Sequence, residues 1–212
     1  MKFDIARQPL VPAFMTLFAL AVAAMCAGIP VPDTETSGAV REALPLLGGQ
    51  LARFQAAYPV WSKFAAGFML LFAGMCTGRI SIRYNLYTVG TCLPIPLYAI
   101  VACGIATGGN YLAGFAASML LALATKNYCR AFCNGYGFDA IFRASLYLGL
   151  MPLIYAPALP LLLLLPLAVL LFRRTFREVV VATAGLLLPI FTACYVSWGS
   201  GAEFTAQIGR AS

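Results

Sequence analysis

Arginines that precede apolar stretches are the residues of this chain best suited to chemistry. Their polar neighbours are an asparagine, an aspartate and a glutamate, and guanidinium groups bind phosphate and carboxylate in a fork geometry. Helix amino termini would add positive potential at the same level. The pattern predicts an anion-binding site composed of Arg83, Asn85, Asp139, Arg143, Arg177 and Glu178. The alternative is that each arginine contacts a lipid phosphate separately and sets the orientation of its own segment.

The rest of the chain offers little for catalysis or for metal binding. Histidine is absent, and the 7 cysteines lie in or beside apolar stretches, which is typical of free thiols rather than of a disulfide framework. Cys129 and Cys133 would share a helix face, but a tetrahedral zinc site needs further ligands. We therefore predict no catalytic residue, no metal and no cofactor. Asp139 and Arg143 are four residues apart with the acid first, which favours an ion pair on a helix.

The elements that position these residues must lie in a membrane, because the composition is far from that of a soluble protein. Of 212 residues, 62% are hydrophobic and 10% are charged, whereas soluble domains have about 45–50% and about 25%. The net charge of +7 is distributed between apolar stretches and forms no contiguous basic face, which excludes a nucleic-acid-binding protein. We predict an all-α integral membrane protein with a single polytopic domain, residues 1–212.

The apolar stretches predict about seven transmembrane helices. The first stretch exceeds the apolar region of a signal peptide and lacks a good cleavage site, so we expect it to be retained. The third contains Pro94 and Pro96, which would interrupt a helix in the middle of the bilayer. The predicted bounds are Leu10–Ile29, Val60–Cys76, Leu86–Ile105, Tyr111–Ala124, Phe142–Tyr155, Ala158–Phe172 and Val179–Val196.

Between the first two spans, residues 38–58 predict an amphipathic helix on the outer membrane surface. Its apolar stripe would consist of Leu47, Leu51, Phe54 and Tyr58, with Gln55 on the polar face. We expect this helix to act as an interfacial brace, and a lid over a substrate site is the alternative.

The distribution of lysine and arginine predicts the orientation. With the amino terminus inside, ten basic residues precede or follow spans on the cytoplasmic side and four lie outside, since 10 + 4 accounts for all 14. This asymmetry favours an internal amino terminus and an external carboxyl terminus. The inner residues are Lys2, Arg7, Arg79, Arg83, Lys126, Arg130, Arg143, Arg173, Arg174 and Arg177, and the outer ones are Arg41, Arg53, Lys63 and Arg210.

Three of the predicted spans share a sequence pattern that suggests tandem helical hairpins. Each begins with an arginine and continues through a glycine to a proline, and all three would run from inside to outside. The alternative is that these residues are simply common in spanning helices. The matched residues are Arg83, Leu86, Tyr87, Gly90 and Pro94 in the first copy, Arg143, Leu146, Tyr147, Gly149 and Pro152 in the second, and Arg177, Gly185 and Pro189 in a looser third.

Two of these segments also carry a family resemblance. RYNLYTVGTCLPIPLYAI, which begins at Arg83, and RRTFREVVVATAGLLLPI, which begins at Arg173, resemble two landmarks of an uncharacterised family of multi-spanning bacterial inner-membrane proteins. The resemblance implies a location in the bacterial inner membrane and no particular activity.

We expect a non-enzymatic envelope protein that binds a membrane partner protein or an anionic lipid head group at its cytoplasmic face. Two alternatives stay open. A small-solute or lipid transporter would use the proline-interrupted helices and a polar cavity lined by Asn85, Thr91 and Tyr98. A lipid-phosphate-processing enzyme would need Asp139 and Glu178 close enough to the arginines to position a metal or a water molecule.

Overall fold

Helices make up the regular structure throughout the described part of the chain. The computed structural model describes residues 10–26, 46–84, 92–106, 109–133, 137–163 and 176–199. The prediction of an all-helical protein is confirmed for these residues. The helices are α1 (Leu10–Cys26), α2 (Leu46–Ala57), α3 (Pro59–Arg83), α4 (Pro94–Ala106), α5 (Tyr111–Cys133), α6 (Phe138–Ile154), the 3₁₀ helix η1 (Ala156–Leu163) and α7 (Phe176–Gly199).

Two of the described helices are long and apolar enough to cross a membrane. They are Pro59–Arg83 and Phe176–Val196, with α1 and α4 forming shorter apolar helices. Half of the most apolar window of α3 is buried inside the bundle, whereas only 17% of that of α7 is buried. Length and composition therefore agree with a membrane protein, while the number of spans and their orientation stay predictions.

Several helix bounds differ from those predicted. α5 continues to Cys133 and α6 begins at Phe138, so most of the segment between the predicted spans Tyr111–Ala124 and Phe142–Tyr155 is helical. The continuation places Tyr128 and Ala131 in a core against α6, and this burial outweighs the polar Lys126 and Asn127. The sixth predicted span begins as the 3₁₀ helix η1, and the rest of it lies outside the described residues.

Pro94 lies at the first residue of α4 rather than in the middle of a helix. At this position the missing N–H of proline costs nothing, because the first amides of a helix have no intrahelical acceptor. Residues 85–91 lie outside the described residues, so the predicted interruption of a longer helix at Pro94 stays a prediction. Pro152 and Pro189, by contrast, do lie inside α6 and α7.

The amphipathic helix α2 is present but presents a different face from the one predicted. Its Gln55 is buried at 9% exposure, whereas Phe54 and Tyr58 of the predicted apolar stripe are 41% and 57% exposed. α2 packs against α3, α5 and α6. Residues 38–45 of the predicted interfacial segment lie outside the described residues.

Contacts between helices show that α3 and α5 run in the same direction. Ser62 near the start of α3 bonds Tyr111 at the start of α5, and Ala73 further along α3 shares a small core with Ala122. α1 runs the opposite way, since Met25 meets Gly67 of α3 while Leu17 lies against Gly74.

α6 and α7 are also parallel, and two glycines allow them to approach closely. A Cβ on Gly185 would lie 2.8 Å from the carbonyl oxygen of Phe142, and one on Gly149 would meet the carbonyl oxygen of Leu186. From Phe142 to Gly149 on α6, the contacting residues on α7 also move forward along the chain, from Gly185 to Leu186 and Pro189. Both helices therefore run in the same direction. Any larger side chain at either glycine would force the two backbones apart.

The core lies on both sides of α5, which is the central helix of the bundle. One side carries a stripe at helical spacing that packs on α6, and the first turn of α5 packs on α1, α3 and α4. The stripe consists of Ala117, Leu120, Ala124, Tyr128 and Ala131, and the first-turn residues are Tyr111, Leu112 and Phe115. Two hydrophobic clusters are thereby joined through one helix.

Candidate functional site

The basic residues converge on one end of the bundle, because the carboxyl ends of α3 and α5 and the amino ends of α6 and α7 meet there. α3 and α5 are parallel, and α6 returns from the end of α5 after a short connection. We call this the basic end, defined by Arg79, Arg83, Lys126, Arg130, Arg143 and Arg177. The other basic residues that the structure describes, Arg53 and Lys63, lie at the opposite end.

The predicted ion pair at the start of α6 is confirmed. Nε of Arg143 donates to Oδ1 of Asp139 at 2.9 Å, and the two side chains are 58% and 66% exposed. An exposed i, i+4 pair contributes only about 0.3–0.5 kcal/mol. Its chemical effect is that the Asp139 carboxylate already neutralises much of the charge that Arg143 would offer to an anion.

Arg177 and Glu178 face different surroundings although they are adjacent. Arg177 is exposed, whereas Glu178 is only 2% exposed and lies one turn before Ala182, which is in the core with Ala144. Glu178 takes part in a polar or electrostatic interaction with the chain, as a buried carboxylate must. It therefore faces the bundle interior and not a shared surface with Arg177.

The packing register also separates Arg143 from Arg177. Gly185 lies against Phe142 and Ser145, which puts Arg143 level with Gly185. Arg177 precedes Gly185 by 185 − 177 = 8 residues, or about 12 Å along the helix at 1.5 Å per residue. The sequence repeat, which aligns the two arginines, is therefore not the register in which the helices pack.

Of the six predicted anion-site residues, the structure brings together Asp139 and Arg143. Arg83 is exposed at the end of α3, which packs on α5, α1 and α4, while α7 packs on α6. Asn85 lies outside the described residues. A single anion site with all three arginines stays a prediction, and the described geometry is that of a distributed basic surface.

A second candidate site, which the sequence did not reveal, is a cavity of about 670 Å³ between α4, α5, α6 and η1. We call it the lateral cavity. It lies toward the end of the bundle opposite the basic end, where α4 and α6 finish and α5 begins. Its lining consists of Val101, Gly104, Ile105, Gly109, Asn110, Gly114, Ala117, Ser118, Leu121, Met151, Tyr155, Pro157, Ala158 and Leu161.

Three side chains give the lateral cavity its polar character. Oγ of Ser118 donates to the carbonyl of Phe115 at 2.8 Å and accepts from the hydroxyl of Tyr98 at 3.1 Å. The side chains of Asn110 and Tyr155 make no hydrogen bond with the described part of the chain. Tyr98 thus contributes to this site through Ser118, while Asn85 and Thr91 of the predicted polar cavity lie outside the described residues.

The wall of the cavity beside Gly109 is held by α2. Nε2 of Gln55 donates to the carbonyl of Gly109 at 2.8 Å, and Oε1 accepts from the backbone N–H of Leu112 at 3.3 Å. Because the first amides of a helix have no partner within it, Gln55 caps α5 from another helix. α2 is therefore tied to the start of α5 at this end of the bundle, and its predicted place on the outer membrane surface stays a prediction.

One glycine of α4 leaves room in the wall of this cavity. Gly104 has nothing within 4 Å of where a Cβ would stand, so the missing side chain leaves open space. Within the described residues no group of three or more histidine, cysteine, aspartate or glutamate side chains could hold a metal ion. The described lining of the cavity is mostly aliphatic, with Asn110, Ser118 and Tyr155 as its polar side chains.

Comparison with models of protein families, with characterised proteins and with solved structures finds no match to this chain. The fold and the two candidate sites therefore describe a structural class, and they assign the chain to no family. Over the described ranges, this class is a helical bundle with two helices long and apolar enough to cross a membrane, one basic end and one lateral cavity.

Proposed function

We propose that this chain is a multi-pass protein of the bacterial inner membrane that binds anionic phospholipid head groups at its basic end. In this proposal the amino terminus is inside and the carboxyl terminus is outside. The observation that carries it is the segregation of charge: the basic end holds six of the eight basic residues that the structure describes. Basic residues concentrate on the cytoplasmic side of membrane proteins.

The helix directions support seven spans. α1, α4, α6 and α7 run away from the basic end, while α3 and α5 run toward it, which is the alternation that seven spans require. The parallel packing of α6 and α7 is the strongest part of this argument. Residues 164–175, which include most of the proposed sixth span, lie outside the described residues.

The exposed surface supports a lipid environment. Large apolar side chains face outward along the helices, among them Phe68 at 66%, Val101 at 76% and Phe191 at 67% exposure. Contiguous apolar surface of this kind is rare on soluble monomers. In a bilayer these side chains contact lipid tails at no cost.

Anionic lipid is the ligand that the basic end fits best. Each lysine or arginine near an anionic membrane surface contributes about 1 kcal/mol, so several distributed residues bind without a shaped pocket. The alternative of a lipid-phosphate enzyme gains no support, because Asp139 is paired with Arg143 and Glu178 faces the interior.

Native mass spectrometry with phosphatidylglycerol and phosphatidylcholine tests this proposal. The double variant Arg83→Ala with Arg143→Ala should retain less phosphatidylglycerol than the native chain, with phosphatidylcholine unchanged. The matched control is Arg53→Ala with Lys63→Ala, which removes the same charge from the opposite end. Equal retention by the two double variants would contradict lipid binding at the basic end.

A further inference from the structure

We propose that the lateral cavity holds the hydrocarbon chain of an uncharged lipid, whose hydroxyl or carbonyl head bonds Asn110 and Tyr155. This inference goes beyond head-group binding at the basic end, because it concerns the opposite end of the bundle and a neutral ligand. It rests on the lining, the mouth and the length of the cavity.

The lining selects an uncharged occupant. Its walls are aliphatic, with Ile105, Leu121 and Met151 among them, and none of the described residues that line it is charged. An anionic head group would lose its hydration there without gaining a cation, which is costly. A volume of about 670 Å³ lies within the usual range of about 300–1,000 Å³ for ligand pockets.

We take the mouth of the cavity to lie between α4 and η1, where exposed apolar side chains flank it. On the α4 side Val101 is 76% exposed and Ile100 is 62% exposed, and on the η1 side Leu159 and Leu163 are 48% and 69% exposed. A ligand that enters between these side chains comes from lipid hydrocarbon rather than from water. This favours a membrane lipid over a dissolved solute.

The length of the cavity matches one leaflet. Along α5 it extends from Asn110 to Leu121, which is 121 − 110 = 11 residues or about 16 Å at 1.5 Å per residue. The hydrocarbon core of a bilayer is about 30 Å thick, so each leaflet contributes about half of it. A single chain can therefore lie in the cavity with its head at the membrane surface.

The polar groups stand where such a head would be. Asn110 directly precedes α5 and Tyr155 directly follows α6, so both lie at the end of the bundle away from the basic end. An amide and a phenol offer donors and acceptors without charge. Deeper in the cavity the polar lining is Ser118, whose hydroxyl is already engaged with Tyr98 and Phe115.

The probe is a monoacylglycerol with a diazirine in its acyl chain, added to phosphatidylcholine vesicles that contain the full chain. After photolysis, mass spectrometry should locate labels on α4, α5 and η1 at the cavity. Excess unlabelled monoacylglycerol should suppress them, and excess phosphatidylglycerol should not. Labels spread evenly over the exposed residues of α3 and α7 would overturn the proposal.

Gly104→Phe provides the blocking variant, because Gly104 lines the cavity and nothing lies within 4 Å of its Cβ position. Cavity labelling should fall roughly tenfold, as a loss of about 1.4 kcal/mol of binding free energy produces. Gly199→Phe is the matched control, since nothing lies within 4 Å of its Cβ position either and α7 contributes no residue to the described lining of the cavity. Undiminished labelling in Gly104→Phe would overturn the proposal.

A second variant tests the head-group contacts. Asn110→Ala with Tyr155→Phe should weaken labelling by the monoacylglycerol but leave labelling by a diazirine alkane unchanged. Equal effects on both probes would show that these side chains recognise no head group. Retention of phosphatidylglycerol at the basic end should be native in all of these variants, so the two proposals fail independently.

Discussion

Gln55 reaches from α2 to the carbonyl oxygen of Gly109, to which its Nε2 donates a hydrogen bond of 2.8 Å. The other half of the same amide accepts from Leu112. One buried side chain thereby joins α2 to the start of the central helix, beside the lateral cavity.

Replacing Gln55 by alanine should destabilise the protein. The change leaves the buried N–H of Leu112 without its acceptor, and a buried unsatisfied group costs about 1–3 kcal/mol. The bond to the carbonyl of Gly109, an exposed residue, is lost as well. Thermal unfolding in detergent should show a lower midpoint for Gln55→Ala. Gln50→Ala, on the exposed face of the same helix, is the control. Equal midpoints for the two variants would contradict the role assigned to Gln55.

The hydroxyls of Ser62 and Tyr111 should be energetically coupled. They lie 2.5 Å apart, and because Ser62 donates to the carbonyl of Pro59, Tyr111 is the donor between them. Ser62→Ala and Tyr111→Phe should each cost about 1 kcal/mol. The double variant should cost less than their sum in a double-mutant cycle measured by denaturant unfolding. Strict additivity would show that the hydroxyls do not interact.

Gly149→Ala should destabilise the α6–α7 contact. The new methyl group would meet the carbonyl oxygen of Leu186, which is backbone and cannot turn aside, so we expect a cost of about 1–3 kcal/mol. Gly104→Ala is the control, because its Cβ meets nothing and alanine favours a helix. Equal stabilities for the two variants would show that α6 and α7 do not pack at Gly149.

The pair between Asp139 and Arg143 should contribute little to stability. Both side chains are more than half exposed, so Asp139→Ala should change the free energy of unfolding by about 0.5 kcal/mol or less. The same variant should strengthen retention of phosphatidylglycerol, since it frees the charge of Arg143. A large loss of stability, or weaker lipid retention, would contradict this account.

Helix content was predictable because long apolar stretches leave the backbone no other way to satisfy its hydrogen bonds in a membrane. The end of α5 was not predictable, because the polar Lys126 and Asn127 favour a loop. The burial of Tyr128 and Ala131 against α6 keeps this segment helical. At this point the burial of side chains between helices outweighs the polarity of the local sequence.

The candidate sites likewise contain one feature that the sequence predicted and two that it did not. The ion pair between Asp139 and Arg143 followed from i, i+4 spacing alone. The inward turn of Gln55 could not be predicted, because helical periodicity assigns polar residues to the exposed face unless their partner on another element is known. The lateral cavity arises from the meeting of four helices, and no local pattern encodes such a meeting.

The central claim is that the basic end lies inside the cell, and cysteine accessibility in intact spheroplasts tests it most directly. In a background with the native cysteines replaced, a membrane-impermeant maleimide should label Arg53→Cys and should label Arg130→Cys only after the membrane is opened. Both residues are exposed, so reactivity reports the side of the membrane. Labelling of Arg130→Cys from outside, with Arg53→Cys protected, would contradict the account.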